Sequence, residues 1–213
     1  MDESRHTSRT AHRTTRATTT ATRTQIVDAA ERVLREDGFA SVSTRKVADE
    51  AGVPLSQIHY HFGSKQKLMI ALLEHQNDTL IERQATMYGT DAPLWRQWER
   101  ACDFYDEDLA SGYVRVLQEM TAAGWSDPEI GAAVRAVVQA WTAILRDVAT
   151  RAEREYGSFG PLSAFDVATL VSVMWLGAES MDLLGMADPD FDIRGALRRV
   201  GTLLRDLDAS DAP

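Results

Sequence analysis

The stretch Ser43-Thr-Arg-Lys-Val-Ala-Asp-Glu-Ala-Gly-Val-Pro-Leu-Ser-Gln-Ile-His-Tyr-His-Phe62 brings two short helical patterns together at a single glycine. In the first, Ser43 is placed to cap, Val47, Ala48 and Ala51 recur at helical spacing, and Gly52 stands where a left-handed C-terminal residue is wanted. Pro54 opens the second. There Ile58 and Phe62 are four apart and share a face with Val53, which turns Ser56, Gln57, His59 and Tyr60 outward as a row of hydrogen-bonding groups. This spacing predicts a helix-turn-helix. A short helix with a polar outer face has too little apolar surface to stand alone, and entry into the major groove of DNA is the use this motif most often serves.

Working upstream, Thr22 followed by Gln25 has the spacing of a capping box, and Ile26, Ala30, Val33 and Leu34 mark one apolar face up to Asp37-Gly38. That is a first helix whose stripe, with Phe39, covers Val47, Ala48, Ile58 and Phe62. Residues 1 to 21 are Thr, Ser, Arg and Ala with no aliphatic residue after Met1, and are expected to be a disordered tail. Its arginines, Arg5, Arg9, Arg13 and Arg16, with Arg23 just beyond, either follow phosphates or a minor groove, or contribute nothing.

Downstream, Ser64 caps a helix bearing Leu68, Leu72, Leu73, Leu80 and Ile81, with Lys65 and Lys67 in its first turn, where ammonium groups and backbone amides suit a phosphate. Pro93 starts a helix with Trp95, Trp98, Cys102 and Tyr105, broken at Ser111-Gly112. A short helix follows to Gly124. Ser126-Asp127-Pro128-Glu129 then starts a long one carrying Val134, Val137, Trp141 and Leu145. Ser163 with Asp166 caps a helix apolar on most of its circumference, and Ile193, Leu197, Val200, Leu203 and Leu204 mark the last, from about Asp192 to Leu207. No alternating strand pattern occurs, so the chain is expected to be all-α. Its expected organisation is a tail over 1–21, a three-helix DNA-binding domain over 22–67, a larger helical domain over 68–208, and a disordered C-terminus over 209–213.

The central motif resembles the DNA-binding domain of the TetR family of bacterial transcriptional regulators. The family's pattern is carried by Ser43, Val47-Ala48, Ala51-Gly52-Val53 and His61-Phe62-Gly63-Ser64-Lys65-Gln66-Lys67-Leu68, and the likeness runs from about Gln25 to Leu73. Where the family usually carries tyrosine three residues before the phenylalanine, this chain has His59, which can also donate to a phosphate. The resemblance implies a homodimeric regulator, in the first place a repressor released from a palindromic operator by a small hydrophobic effector held in the larger domain. An activator or a ligand-independent DNA-binding protein is the alternative.

Candidate DNA contacts are Thr44, Arg45, Ser56, Gln57, His59, Tyr60 and Lys65. Aromatic and thioether side chains suit a pocket for a flat or greasy molecule, so Trp98, Tyr105, Met120, Trp141 and Met174 are candidates for the effector site, although core packing accounts for each singly. Ala168, Ser172, Trp175 and Leu197 are candidates for a dimer surface, on the argument that a helix apolar all round needs cover on two sides.

Charge supports this division. The chain carries 23 Lys/Arg against 32 Asp/Glu for a net charge of −9, and residues 1–67 hold 11 against 8, leaving 12 against 24 for the rest. The basic end is the one read as facing phosphate. Enzyme chemistry finds no footing: Cys102 has no base at a suggestive spacing, and His59 and His61 lie roughly 200° apart around a helix, so one metal cannot take both from one face. No cofactor is expected. The single cysteine, the lack of a secretory apolar segment and the interruption of Val167–Ala178 by Thr169, Ser172 and Gly177 point to a cytoplasmic protein with no membrane partner.

Overall fold

The computed structural model describes residues 3–186 and 188–210, with side chains from residue 19 to 209 apart from 187. The described residues are helical throughout apart from turns and an isolated bridge between Asp188 and Phe191. Contacts divide the chain into two units, Met1–Leu73 and Glu74–Pro213.

In the first unit, α1 (Glu3–Asp37) is followed by a 3-10 turn over Phe39–Ser41, then α2 (Thr44–Ala51) and α3 (Leu55–Phe62). α1 begins well before Thr22, so Thr22 and Gln25 lie inside a helix and do not cap one. The expectation that arginines of the tail meet DNA rests on side chains before residue 19, outside the described residues. The expected stripe of α1, Ile26, Ala30, Val33 and Leu34, is buried, Val27 joins it, and Val47, Ala48 and Ala51 of α2 and Ile58 and Phe62 of α3 are buried as well. Local chemistry fixes the ends of α2. Ser43 Oγ accepts from the Lys46 amide at 3.2 Å, and Gly52 takes φ 64°, ψ 31°, a left-handed conformation that a Cβ would penalise.

Unit two holds most of α4 (Lys65–Tyr88), whose first turns belong to unit one, and then α5 (Leu94–Ser111), α6 (Tyr113–Gly124), α7 (Pro128–Tyr156), α8 (Ala164–Leu183) and α9 (Ile193–Ser210). Asp127 Oδ1 caps α7 by accepting from the Glu129 and Ile130 amides, and Ser163 with Asp166 forms the expected capping box on α8. The main packing pairs are α7 with α8, α5 with α9 and α6 with α7. Where α6 ends and α7 begins, the backbones nearly touch: a Cβ on Gly124 would sit 2.9 Å from Gly131 Cα, and one on Gly131 2.8 Å from the Gly124 carbonyl oxygen.

α8 corrects two expectations. By length and composition it is a helix apolar enough to cross a membrane, which the sequence reading denied because it counted three small or polar residues as interruptions. The faces of α8 and α9 are also reversed from those expected. Ala168, Ser172, Trp175 and Leu197 are 1, 5, 8 and 5% exposed within one chain, so the rest of that chain already covers them. Ser172 Oγ lies 3.1 Å from Thr142 Oγ1 on α7. The large apolar side chains left exposed are Phe165, Leu170, Val173, Met174, Met181 and Leu183 on α8 and Leu203 and Leu207 on α9.

Candidate nucleic-acid interface and ligand cavity

The polar row of α3 is where the spacing put it. Ser56 and His59 are exposed, Tyr60 is 74% exposed, and Gln57 is half-buried; on α2 Thr44 is half-buried and Arg45 exposed. With Ile58 and Phe62 anchored in the core, these side chains stand on a rigid helix held by its buried face. His59 Nδ1 lies 3.3 Å from the Gly63 carbonyl, at the end of its own helix. His61, half-buried beside the exposed row, is held below the usual imidazole range first by burial and then by the Arg23 charge. Lys65 is engaged within the unit. Its ammonium donates to the Phe39 carbonyl at 2.9 Å and lies 4.7 Å from the centre of the Phe39 ring, so it braces the loop after α1. Two exposed ion pairs, Arg32 with Glu50 and Lys46 with Asp37, also tie α1 to α2, and pairs in that setting add little to stability.

In unit two the five candidate effector residues scatter. Trp98, Tyr105 and Trp141 surround Trp175, with ring centres 5.6, 5.5 and 6.5 Å away. Two of them use their polar atoms within the fold: Trp98 Nε1 donates to the Leu197 carbonyl at 2.7 Å, and the Tyr105 hydroxyl donates to Asp182 Oδ2 at 2.6 Å. Met120 is fully buried, and Met174 points out beside a largely apolar groove between α8 and α9. Cys102 is buried next to this cluster, and burial pushes its thiol up to about 11, the signature of an inert cysteine.

A separate small cavity, about 30 Å³, is lined by Leu80 and Gln84 of α4, Asp108 of α5, Tyr113 and Leu117 of α6, Val137, Val138 and Trp141 of α7, and Trp175, Leu176 and Glu179 of α8. Of the expected effector residues only Trp141 reaches it. Glu179 is 6% exposed, and among the described residues its one hydrogen bond is a long one, 3.4 Å from Gln118 Nε2. Burial pushes its carboxyl up to about 8. Asp108 is raised by burial too, but Arg83 opposes this with two hydrogen bonds of 2.7 and 2.8 Å. Sequence reading missed Glu179 and Gln84. The one available signal was an acid placed directly after the apolar run Val167–Ala178 and still inside the same helix.

The first unit thus defines a class, a helix-turn-helix domain of the DNA-binding type on a chain whose described residues are mainly helical. Residues 26–72 match the family model for bacterial regulatory proteins of the tetR family. The chain is 30% identical over 136 residues, 61% of its own length and 59% of the relative's, to the HTH-type transcriptional activator FasR of Mycolicibacterium smegmatis. It is 28% identical over 104 residues, 49% of its length and 54% of the relative's, to the HTH-type nicotine-responsive transcriptional repressor HdnoR of Paenarthrobacter nicotinovorans. The chain therefore spans little more than half the length of these curated relatives. Among solved structures, FadR from Bacillus subtilis in complex with stearoyl-CoA superposes with a TM-score of 0.68 at 20% identity, over 85% of this chain and 96% of that one. The multidrug-binding protein EbrR complexed with malachite green does so at 0.60 and 25%, over 85 and 96%. This chain shares its fold with both solved structures.

Proposed function

We propose that the protein is a transcriptional repressor that binds a palindromic operator as a homodimer in the cytoplasm and is released by a small hydrophobic effector. The observation that carries DNA binding is the row Ser56, Gln57, His59 and Tyr60, presented outward on α3 while Ile58 and Phe62 lock that helix from behind. Thr44 and Arg45 at the start of α2 extend the same contact surface. A twofold partner is supported by the exposed apolar residues of α8 and α9, since an apolar face of that extent on a soluble regulator calls for a matching copy. Effector binding is supported by the cavity in unit two and by relatives described as nicotine-responsive or solved with stearoyl-CoA or malachite green. Two recognition helices of a dimer would meet successive major grooves about 34 Å apart.

Selection of bound sequences from random duplexes, followed by footprinting, tests this reading. A short inverted repeat with half-sites about one helical turn apart is the expected result, and recovery of no defined sequence would refute it. One observation favours a second reading, activation, because FasR is named an activator. Transcription in vitro from a promoter carrying the selected site separates the two by the sign of the response.

A further inference from the structure

Two features of the cavity in unit two do not fit a purely structural role. Glu179 is a carboxyl buried between aromatic and aliphatic walls without a cation of its own, whereas Asp108, the other acid lining the cavity, is held by Arg83. Gln84, 6% exposed, lines the same cavity with its side-chain oxygen buried and lacking a hydrogen-bond partner among the described residues. Buried acceptors left unmade are costly. Gln84 asks for a donor, Glu179 has only the long bond from Gln118 and room for a second, and no cation among the described residues lines the cavity to receive an anion. Around them Leu80, Leu117, Val137, Trp141 and Trp175 offer hydrocarbon and ring surface.

We propose that this cavity is the closed form of a site for a lipophilic amine in its protonated state, whose ammonium donates to Glu179 and Gln84 while its hydrocarbon lies against Trp141 and Trp175. The inference rests on the reading that unit two holds a small effector, and it adds the charge and shape of that effector. At about 30 Å³ the cavity holds roughly two water molecules, so an amine of drug size enters by parting the walls.

Proton linkage gives this site a distinctive signature. In the closed cavity burial keeps the Glu179 proton on up to about pH 8, and that proton must leave when an ammonium arrives. The groups that face Glu179 are Tyr105 and Asp108 from α5 and Gln118 and Tyr113 from α6. Arg83 of α4 is committed to Asp108, Asp182 and Arg194 pair with each other beyond Tyr105, and α7 contributes only Val137, Val138 and Trp141 to the cavity. None of these supplies Glu179 with a cation. Amine binding therefore releases a proton and strengthens as pH rises toward 8, at most about tenfold per unit.

The test uses the full chain and three probes that share one tail, 4-phenylbutylamine, 4-phenylbutanol and 4-phenylbutyrate, titrated by calorimetry in buffers of different ionisation enthalpy. The amine is expected to bind about tenfold or more tighter than the other two, with proton release, and Glu179→Gln should remove both the preference and the release. A melting curve for Glu179→Gln matching that of the wild type shows that the fold is intact. Tighter binding of the alcohol or the carboxylate, lost in Trp141→Ala, would overturn the amine and leave the cavity as the effector site. Amine binding unchanged by both substitutions would place the ligand elsewhere and overturn the assignment. No binding by any of the three up to about 10 mM would also overturn it, and operator release by a compound of another class would then show that an effector site exists all the same.

Discussion

Gln25, in the third quarter of α1, donates its side-chain amide to the Ala51 carbonyl at the end of α2, at 2.8 Å. One of the carbonyls that a helix C-terminus leaves unsatisfied is thereby met from another helix, and the bond fixes α2 against α1 where the turn to α3 begins. Replacing Gln25 by Leu keeps the bulk and removes the donor, at a cost of about 1 kcal/mol. Hydrogen exchange in α2 should speed up about fivefold, in keeping with that cost. Exchange at the wild-type rate would mean the bond contributes nothing.

Base reading and bracing should separate between Gln57 and Lys65. Gln57→Ala is expected to relax preference at one operator position by about 1–3 kcal/mol while leaving affinity for random DNA unchanged. Lys65→Ala removes the contacts to the Phe39 carbonyl and ring, so it should lower the melting temperature of unit one as well as weaken binding to every sequence. Fluorescence anisotropy on selected and random duplexes, with a melt of each variant, distinguishes them. A Lys65→Ala protein that melts like the wild type would show that the brace is dispensable.

The inward and outward faces of α8 predict opposite failures. Trp175→Ala opens a hole among Trp98, Tyr105 and Trp141 and should cost about 3–5 kcal/mol of stability. Val173→Glu, at a position 64% exposed in one chain, should leave the fold intact and halve the mass seen by light scattering, with loss of operator binding. Retention of the dimer in Val173→Glu, or of full stability in Trp175→Ala, would reverse the facing described for this helix.

Glu179 also imposes a pH dependence on stability. Its carboxyl is raised from 4.5 to about 8 in the fold, so between those values the folded protein holds a proton that the unfolded chain has given up. The contribution of this group is therefore full below 4.5 and falls as pH rises to about 8. Asp108, raised as well, adds in the same direction. Urea midpoints across this window should decline for the wild type and flatten in Glu179→Gln; parallel declines would assign the slope to other groups.

Much of the fold was legible because its signals are local. Ser43, Gly52 and the Ser163–Asp166 box act on backbone within a few residues of themselves, and the structure uses each as the spacing implied. Gln25 was misjudged for the complementary reason, since its true partner is 26 positions away while a false one stood at capping distance. Facing on α8 was illegible because a helix with apolar residues on most sides carries no period to read. Ala168, Ser172 and Trp175 looked outward on that basis, and only the packing of α5 and α7 shows otherwise. The burial of Glu179 and the idle oxygen of Gln84 arise where four other elements converge, which no stretch of sequence displays.

The near contact of Gly124 with Gly131 has a consequence for what variation this protein tolerates. At each position the atom that a new Cβ would strike is backbone of the other, so no rotamer change relieves the clash, and the partner, already the smallest residue, has nothing left to give up. A saturation library across both positions should thus return glycine at each, with alanine scoring as a loss at either. A revertant of Gly131→Ala should arise by true reversion or by changes elsewhere that separate α6 from α7, and never by substitution at Gly124. The pair is a locus at which the chain has no neighbouring viable genotype.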